Sequence, residues 1–255
     1  TSAEGCNASM FRGTSLTTAP ALPATTLAES CYSGMFIHCT SLVNPPVLQA
    51  TTLAQNCYGA MFEECTSLVN APALPATTLA HSCYVGMFDR CTSLTTAPSL
   101  NATTLADGCY YAMFSGCTSL TTAPQLPATN LGQGVYGAMF YGCTSLVNAP
   151  ALPATSITHN REYTEMFRGC TSLVNAPILP IAKPTQYAYE NMFRGCTSLV
   201  NITCLATDLS NSNAFNNWVN GVSATGTFTC ASGMSQTWTT GVNGIPEGWT
   251  VNEQQ

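Results

Sequence analysis

One phrase recurs along this chain: Met-Phe, two spacer residues, usually Cys, then Thr/Ser-Leu. Its Met residues are Met10, Met35, Met61, Met87, Met113, Met139, Met166 and Met192, so the spacings are 25, 26, 26, 26, 26, 27 and 26. A fixed period in this range marks a solenoid, in which each unit buries its apolar face only against its neighbours. The 255 residues therefore make one array, and the 45% apolar content feeds a continuous core.

Within one period, Leu42 to Leu48 contains Pro45 and Pro46. Proline lacks a backbone donor, which points to an extended segment with proline at a non-bonded or bulged place. Ala50-Thr51-Thr52 then turns. Thr52 with Gln55, and Thr26 with Glu29, have the spacing of a helix N-cap and its capping-box partner. Leu53, Cys57, Tyr58, Met61 and Phe62 follow at i, i+4, i+5, i+8 and i+9, one face of a 3.6-residue period. Glycine three residues after Met (Gly13, Gly116, Gly142, Gly169, Gly195) suits a left-handed stop; His38, Glu64 and Arg90 fill the other copies. The pattern predicts an α/β solenoid: a right-handed leucine-rich-repeat array of about eight 26-residue strand-turn-helix coils. Residues 1–205 form the repeats and 206–255 a C-terminal cap holding Trp218, Trp238 and Trp249. Leu209, Phe215, Trp218, Val219 and Val222 point to a last helix, with Ser212 as its N-cap and Gly221 as its stop. Thr1 to Cys6 aligns with Thr26 to Cys31, so the chain opens in mid-repeat without Met, as expected of a piece of a longer protein.

Of 14 cysteines, five precede a repeat Met by four residues, seven follow one by four, and Cys204 and Cys230 lie outside both columns. Helices 8–10 Å apart hold the first column beyond disulfide reach, so these read as buried thiols; the turn column is excluded less firmly. Cys-x₂₋₄-Cys pairs for zinc are missing. Cys204 and Cys230, 26 residues apart on adjacent strands, are the candidate disulfide.

Charged residues make up only 7% and Lys183 is the sole lysine; net charge is −6. No basic footprint for nucleic acid exists, and no apolar run is long enough to span a membrane. Singular residues that would mark catalysis are missing, so no enzyme, cofactor or metal is expected. Seven of the 18 charged residues cluster between Arg161 and Arg194. Candidate contact surfaces are the strand-side column Thr18, Asn44, Asn70, Thr96, Thr122, Asn148, Asn175 and Asn201, a second column from Ala21 and Val47 to Ile178, and the cations Arg161, Arg168, Lys183 and Arg194. The Asn/Thr column can equally serve to satisfy backbone groups between coils.

The phrase Met-Phe-x-x-Cys-Thr-Ser-Leu with the following Ala-Pro-x-Leu-Pro-Ala-Thr-Thr-Leu resembles the BspA-like leucine-rich repeats of bacterial surface proteins, over about residues 1–205. The common repeat of that family is shorter, near 23 residues. The resemblance implies an extracellular or cell-surface, non-catalytic protein that adheres to host or bacterial surface and matrix proteins. A structural spacer carrying another domain and a carbohydrate-binding module are the alternatives.

Overall fold

The computed structural model describes residues 4–255. It is a solenoid of parallel coils, and among the described residues no helix forms. Six short strands are regular: β1 Thr104–Leu105, β2 Asn130–Leu131, β3 Asn175–Leu179, β4 Asn201–Cys204, β5 Thr227–Cys230 and β6 Thr250–Glu253. β1 pairs with β2, and β3-β4-β5-β6 form a four-stranded sheet, each pair parallel. Single bridges such as Thr18↔Asn44, Asn70↔Thr96 and Thr122↔Asn148 carry the ladder through the earlier coils.

The predicted helix is replaced by a run of turns. Alternate residues adopt the left-handed region; in one coil these are Asn56 (φ 58°), Tyr58 (60°), Ala60 (51°) and Glu64 (58°). Two sets of N–H groups interleave. Cys57, Gly59, Met61, Glu63 and Cys65 donate to the carbonyl three residues back. Asn56, Ala60, Phe62 and Glu64 donate to the next coil, at His81, Val85, Met87 and Asp89. The misreading has a clear cause. Buried residues fall as the pairs Cys57-Tyr58 and Met61-Phe62, a period of four. Across two repeats a period of four departs from 3.6 by less than one residue. Thr26 and Thr52, expected as caps, pair with each other as a parallel bridge instead. The helix expected near Phe215 is also a run of turns.

This geometry keeps the turn side at nearly the strand spacing of about 4.8 Å. Phe11, Phe36, Phe62 and their successors stack as far as Phe193, with centroids 5.6 Å apart and planes 6° apart at Phe36–Phe62. A parallel tyrosine stack runs from Tyr32 to Tyr189. The turns are therefore spaced much closer than the 8–10 Å that packed helices would need. Leu42, Leu68, Leu94, Leu120, Leu146, Leu173 and Leu199 are fully buried beside the stacks. The left-handed glycine column is present, with φ of 67° to 77° from Gly142 to Gly195. Its three non-glycine members, His38, Glu64 and Arg90, are also left-handed (60°, 58°, 55°). They meet across coils: His38 Nδ1 and Arg90 Nη1 each lie 2.8 Å from a Glu64 carboxylate oxygen.

Each cysteine of the later column donates its thiol to the phenylalanine carbonyl of the preceding coil, as Cys91 does to Phe62 at 3.0 Å and Cys117 to Phe88 at 3.1 Å. From Cys65 to Cys196 burial raises these thiols; Cys65 and Cys196 are pushed up to about 12. In the earlier column Cys109 donates to Ala80 at 3.1 Å. The spacing argument against bridges in that column fails with the helices: Cys6 Sγ lies 3.0 Å from Cys31 Sγ. Cys204 and Cys230 are in register on β4 and β5, both buried, but are not bridged. The Cys230 thiol instead donates to the Asn252 carbonyl at 3.4 Å.

The earlier cysteine column also sets a peptide orientation. Where it holds Cys, the next tyrosine donates backward, as Tyr84 N–H does to Cys57 and Tyr110 N–H to Cys83. Where Val135, Glu162 and Ala188 stand instead, Tyr136, Tyr163 and Tyr189 donate forward.

The sheet β3–β6 runs on past residue 205. Trp218 ends the phenylalanine stack and donates Nε1–H to the Gly244 carbonyl at 2.9 Å; Trp238 packs on it at 5.9 Å. Val242 C=O and Asn243 Oδ1 accept N–H groups of Val219 and Asn217.

Candidate functional site

On the strand side, Thr18, Asn44, Asn70, Thr96, Thr122, Asn148, Asn175 and Asn201 are all exposed. Thr18 pairs with Asn44, and Asn70 to Asn201 follow one another in register as a continuous ladder. Asn44 Nδ2 donates to Thr18 Oγ1 at 3.2 Å and Asn201 Nδ2 to Asn175 Oδ1 at 2.7 Å. These are side-chain bonds between coils, of the kind that stacked asparagines make. The second column is also exposed, with Val47 at 73% and Ile178 at 57%.

The four candidate cations do not converge. The Arg168 guanidinium pairs with Glu165 at 2.5 Å and lies over the Tyr141 ring at 5.3 Å. Lys183 pairs with Asp208 at 3.2 Å, beside a groove of about 550 Å³ lined by Asn160, Thr185 and Asn211 among others. Arg194 is exposed on the turn side. Arg161 opens into a separate, polar cleft.

That cleft, of about 360 Å³, crosses neighbouring coils on the turn side and is lined by His81, Asp107, Gly108, Tyr111, Gln133, Gly134, Arg161 and Thr164. Its residues occupy the outward places of the turn run, where the core puts no constraint on identity. Coil by coil, one column reads Glu29, Gln55, His81, Asp107, Gln133. Another reads Ser33, Gly59, Val85, Tyr111, Gly137. Asp107 Oδ1 accepts the Gln133 N–H at 2.8 Å, tying two coils. A Cβ on Gly132 would stand 2.6 Å from both the Asp107 nitrogen and its Oδ1, so only glycine allows that approach. Arg161 lays its guanidinium over the Tyr187 ring at 4.7 Å. Tyr111 is 45% exposed. A second groove of about 360 Å³ shares Asp107 and continues past Thr77, Thr104, Asn130 and His159.

Sequence reading placed Arg161 but missed Asp107, Tyr111 and Gln133. The available signal was local: Gly108, Gly132 and Gly134 break an otherwise uniform helix-like phrase.

One buried charge lies near this region. Glu162 occupies the place of a column cysteine and is fully buried. Its Oε2 accepts Thr185 Oγ1–H at 3.2 Å and its Oε1 has no partner. Burial pushes its carboxyl up to about 7, against the lowering effect of Thr185 and His159. Among the described residues, no group of three His, Cys, Asp or Glu side chains could hold a metal ion. No described helix is long and apolar enough to cross a membrane.

Comparison with protein-family models, curated proteins and solved structures gives no match.

Proposed function

We propose that this chain is a non-catalytic binding module of a bacterial surface or secreted protein, and that it engages its partner through the cleft between His81 and Arg161. One observation carries this reading. On a scaffold whose inward residues repeat coil after coil, the outward cleft gathers unlike polar groups, Asp107, Gln133 and Arg161, around an exposed tyrosine. Such groups convergent in a concave site are the usual setting of ligand recognition. The resemblance of the Met-Phe-x-x-Cys-Thr-Ser-Leu phrase to BspA-like leucine-rich repeats supports the surface location and the adhesive role. The spacer alternative requires an outer surface with no such cleft dependence.

The test is an array of matrix proteins and glycans probed with the full chain and with a double variant, Asp107→Ala with Arg161→Ala. Binding to any class, lost in the double variant, is expected. A chain that binds nothing is a spacer. Binding unaffected by the double variant but lost on substituting the Asn148–Asn175–Asn201 ladder moves the contact surface to the strand side.

A further inference from the structure

We propose that the cleft is a carbohydrate site, with the Tyr111 ring as the platform on which a neutral sugar residue rests; this builds on the binding-module reading above. Three observations select the ligand class.

The first is the posture of Tyr111. A Cβ on Gly137 would meet Tyr111 Cδ2 and Cε2 at 2.8 Å, so the ring lies across the α-carbon of the next coil rather than projecting outward. Glycine at 137 is what gives it that bed. A ring held against the backbone and 45% exposed offers a preset apolar surface at little entropic cost.

The second is the set of polar neighbours. Asp107 spends Oδ1 on the Gln133 N–H and keeps a second oxygen. His81 Nδ1 lies 2.9 Å from Ser82 Oγ, leaving the far nitrogen of the ring for another partner. Gln133 is exposed and Gly134 has open space above its α-carbon. Carboxylate, amide and guanidinium groups each present two atoms in a plane, which matches adjacent hydroxyls on a sugar ring.

The third is what the cleft excludes. An added peptide strand needs a free backbone edge. Here Gly108, Ala112 and Gly134 N–H groups already donate to Gln133, Gly137 and Asn160. Arg161 is the only certain cation of the cleft, beside the Asp107 carboxylate, which does not favour an anion. A large apolar anchor finds one aromatic ring and no deep pocket. What remains is a polar, uncharged ligand with one apolar face. The adjoining groove with Thr104, Asn130 and His159 continues from Asp107, so an oligosaccharide lying across the coils fits better than a single sugar.

The experiment uses the full chain on an array of neutral oligosaccharides alongside matrix proteins, followed by titration of the best glycan. Tyr111→Ala is expected to weaken glycan binding about tenfold or more. Tyr111→Phe, which keeps the ring, should stay within about threefold. Circular dichroism and melting of both variants separate loss of contact from loss of fold. Failure to bind any glycan, or equal binding by Tyr111→Ala, overturns the proposal. If matrix protein alone binds and the Asp107/Arg161 double variant abolishes it, the module reading stands and the sugar reading falls. If nothing binds in either class, both fall.

Discussion

Glu162 gives a perturbation whose sign depends on pH. Its column carries Cys in earlier coils, then Val135, and Ala188 after it. In the folded chain its carboxyl is pushed from an ordinary value of 4.5 up to about 7 by burial. Between those two values the folded state holds the proton more tightly than the unfolded chain. Stability therefore falls as pH rises from about 4.5 to 7, and above 7 the fold carries a buried carboxylate with one unpartnered oxygen. At about 1.4 kcal/mol per unit, the total loss is about 3 kcal/mol. Thr185, His159, and the phenols of Tyr163 and Tyr189 are the polar groups near this carboxyl. Glu162→Val restores an apolar residue that the adjacent coil already accommodates at Val135. At pH 8 the variant should be more stable by about 2–3 kcal/mol, or roughly 5–10 °C in melting temperature. Near pH 4.5 the two should nearly coincide. Melts followed by circular dichroism at both values decide it, and the same comparison in a His159→Asn background isolates the carboxyl from the imidazole. An equal gap at pH 4.5 and pH 8 would refute the reasoning.

Other consequences can be checked with similar economy. Gly169 has φ 75° and a Cβ there would be 3.7 Å from Gly142 Cα, ordinary contact, so Gly169→Ala should cost only the backbone term, about 1–2 kcal/mol in a urea melt. Arg90→Gly relieves a left-handed side chain while losing an exposed ion pair worth less than about 1 kcal/mol, so the melting temperature should hold or rise slightly. Cys117 and Cys143, buried and hydrogen-bonded, should resist alkylation in the native chain and react in denaturant; rapid native labelling would contradict the packing. Cys6 and Cys31 should be the first pair joined by an added organic disulfide, read as a linked peptide by mass mapping. Phe88→Ala, in mid-stack, should cost about 3–5 kcal/mol.

The repeat period, the inward leucines and the Met-Phe pairs were legible because burial imposes itself on every coil. So was the left-handed residue after Met, since glycine recurs there. The helix was not. A stretch of about ten residues with apolar pairs four apart satisfies a helix and a run of alternating turns alike. What separates them is hydrogen bonding to the next coil, and sequence carries no mark of it. The error then propagated, because assumed helix spacing misjudged the reach between Cys6 and Cys31. The cleft was harder to read for the opposite reason: Asp107 and Tyr111 lie one coil before Gln133 and two before Arg161, and apart from the glycines around them each looks like ordinary surface variation. Only the coil register brings them together.

The forward donation of the turn side gives the array a direction. From Gly134 onward, N–H groups point toward the C-terminal end and carbonyls toward the N-terminal end, Tyr136, Tyr163 and Tyr189 included. Their dipoles add along the axis instead of cancelling, as they do along a helix. The two ends are thus chemically unlike, one a row of acceptors and the other a row of donors. Val242 and Asn243 supply the oxygens that the donor end calls for, and a copy of that closing segment placed at the opposite end would set oxygen against oxygen. The array therefore has a fixed polarity, and its closing segment is matched to one end and not to the other.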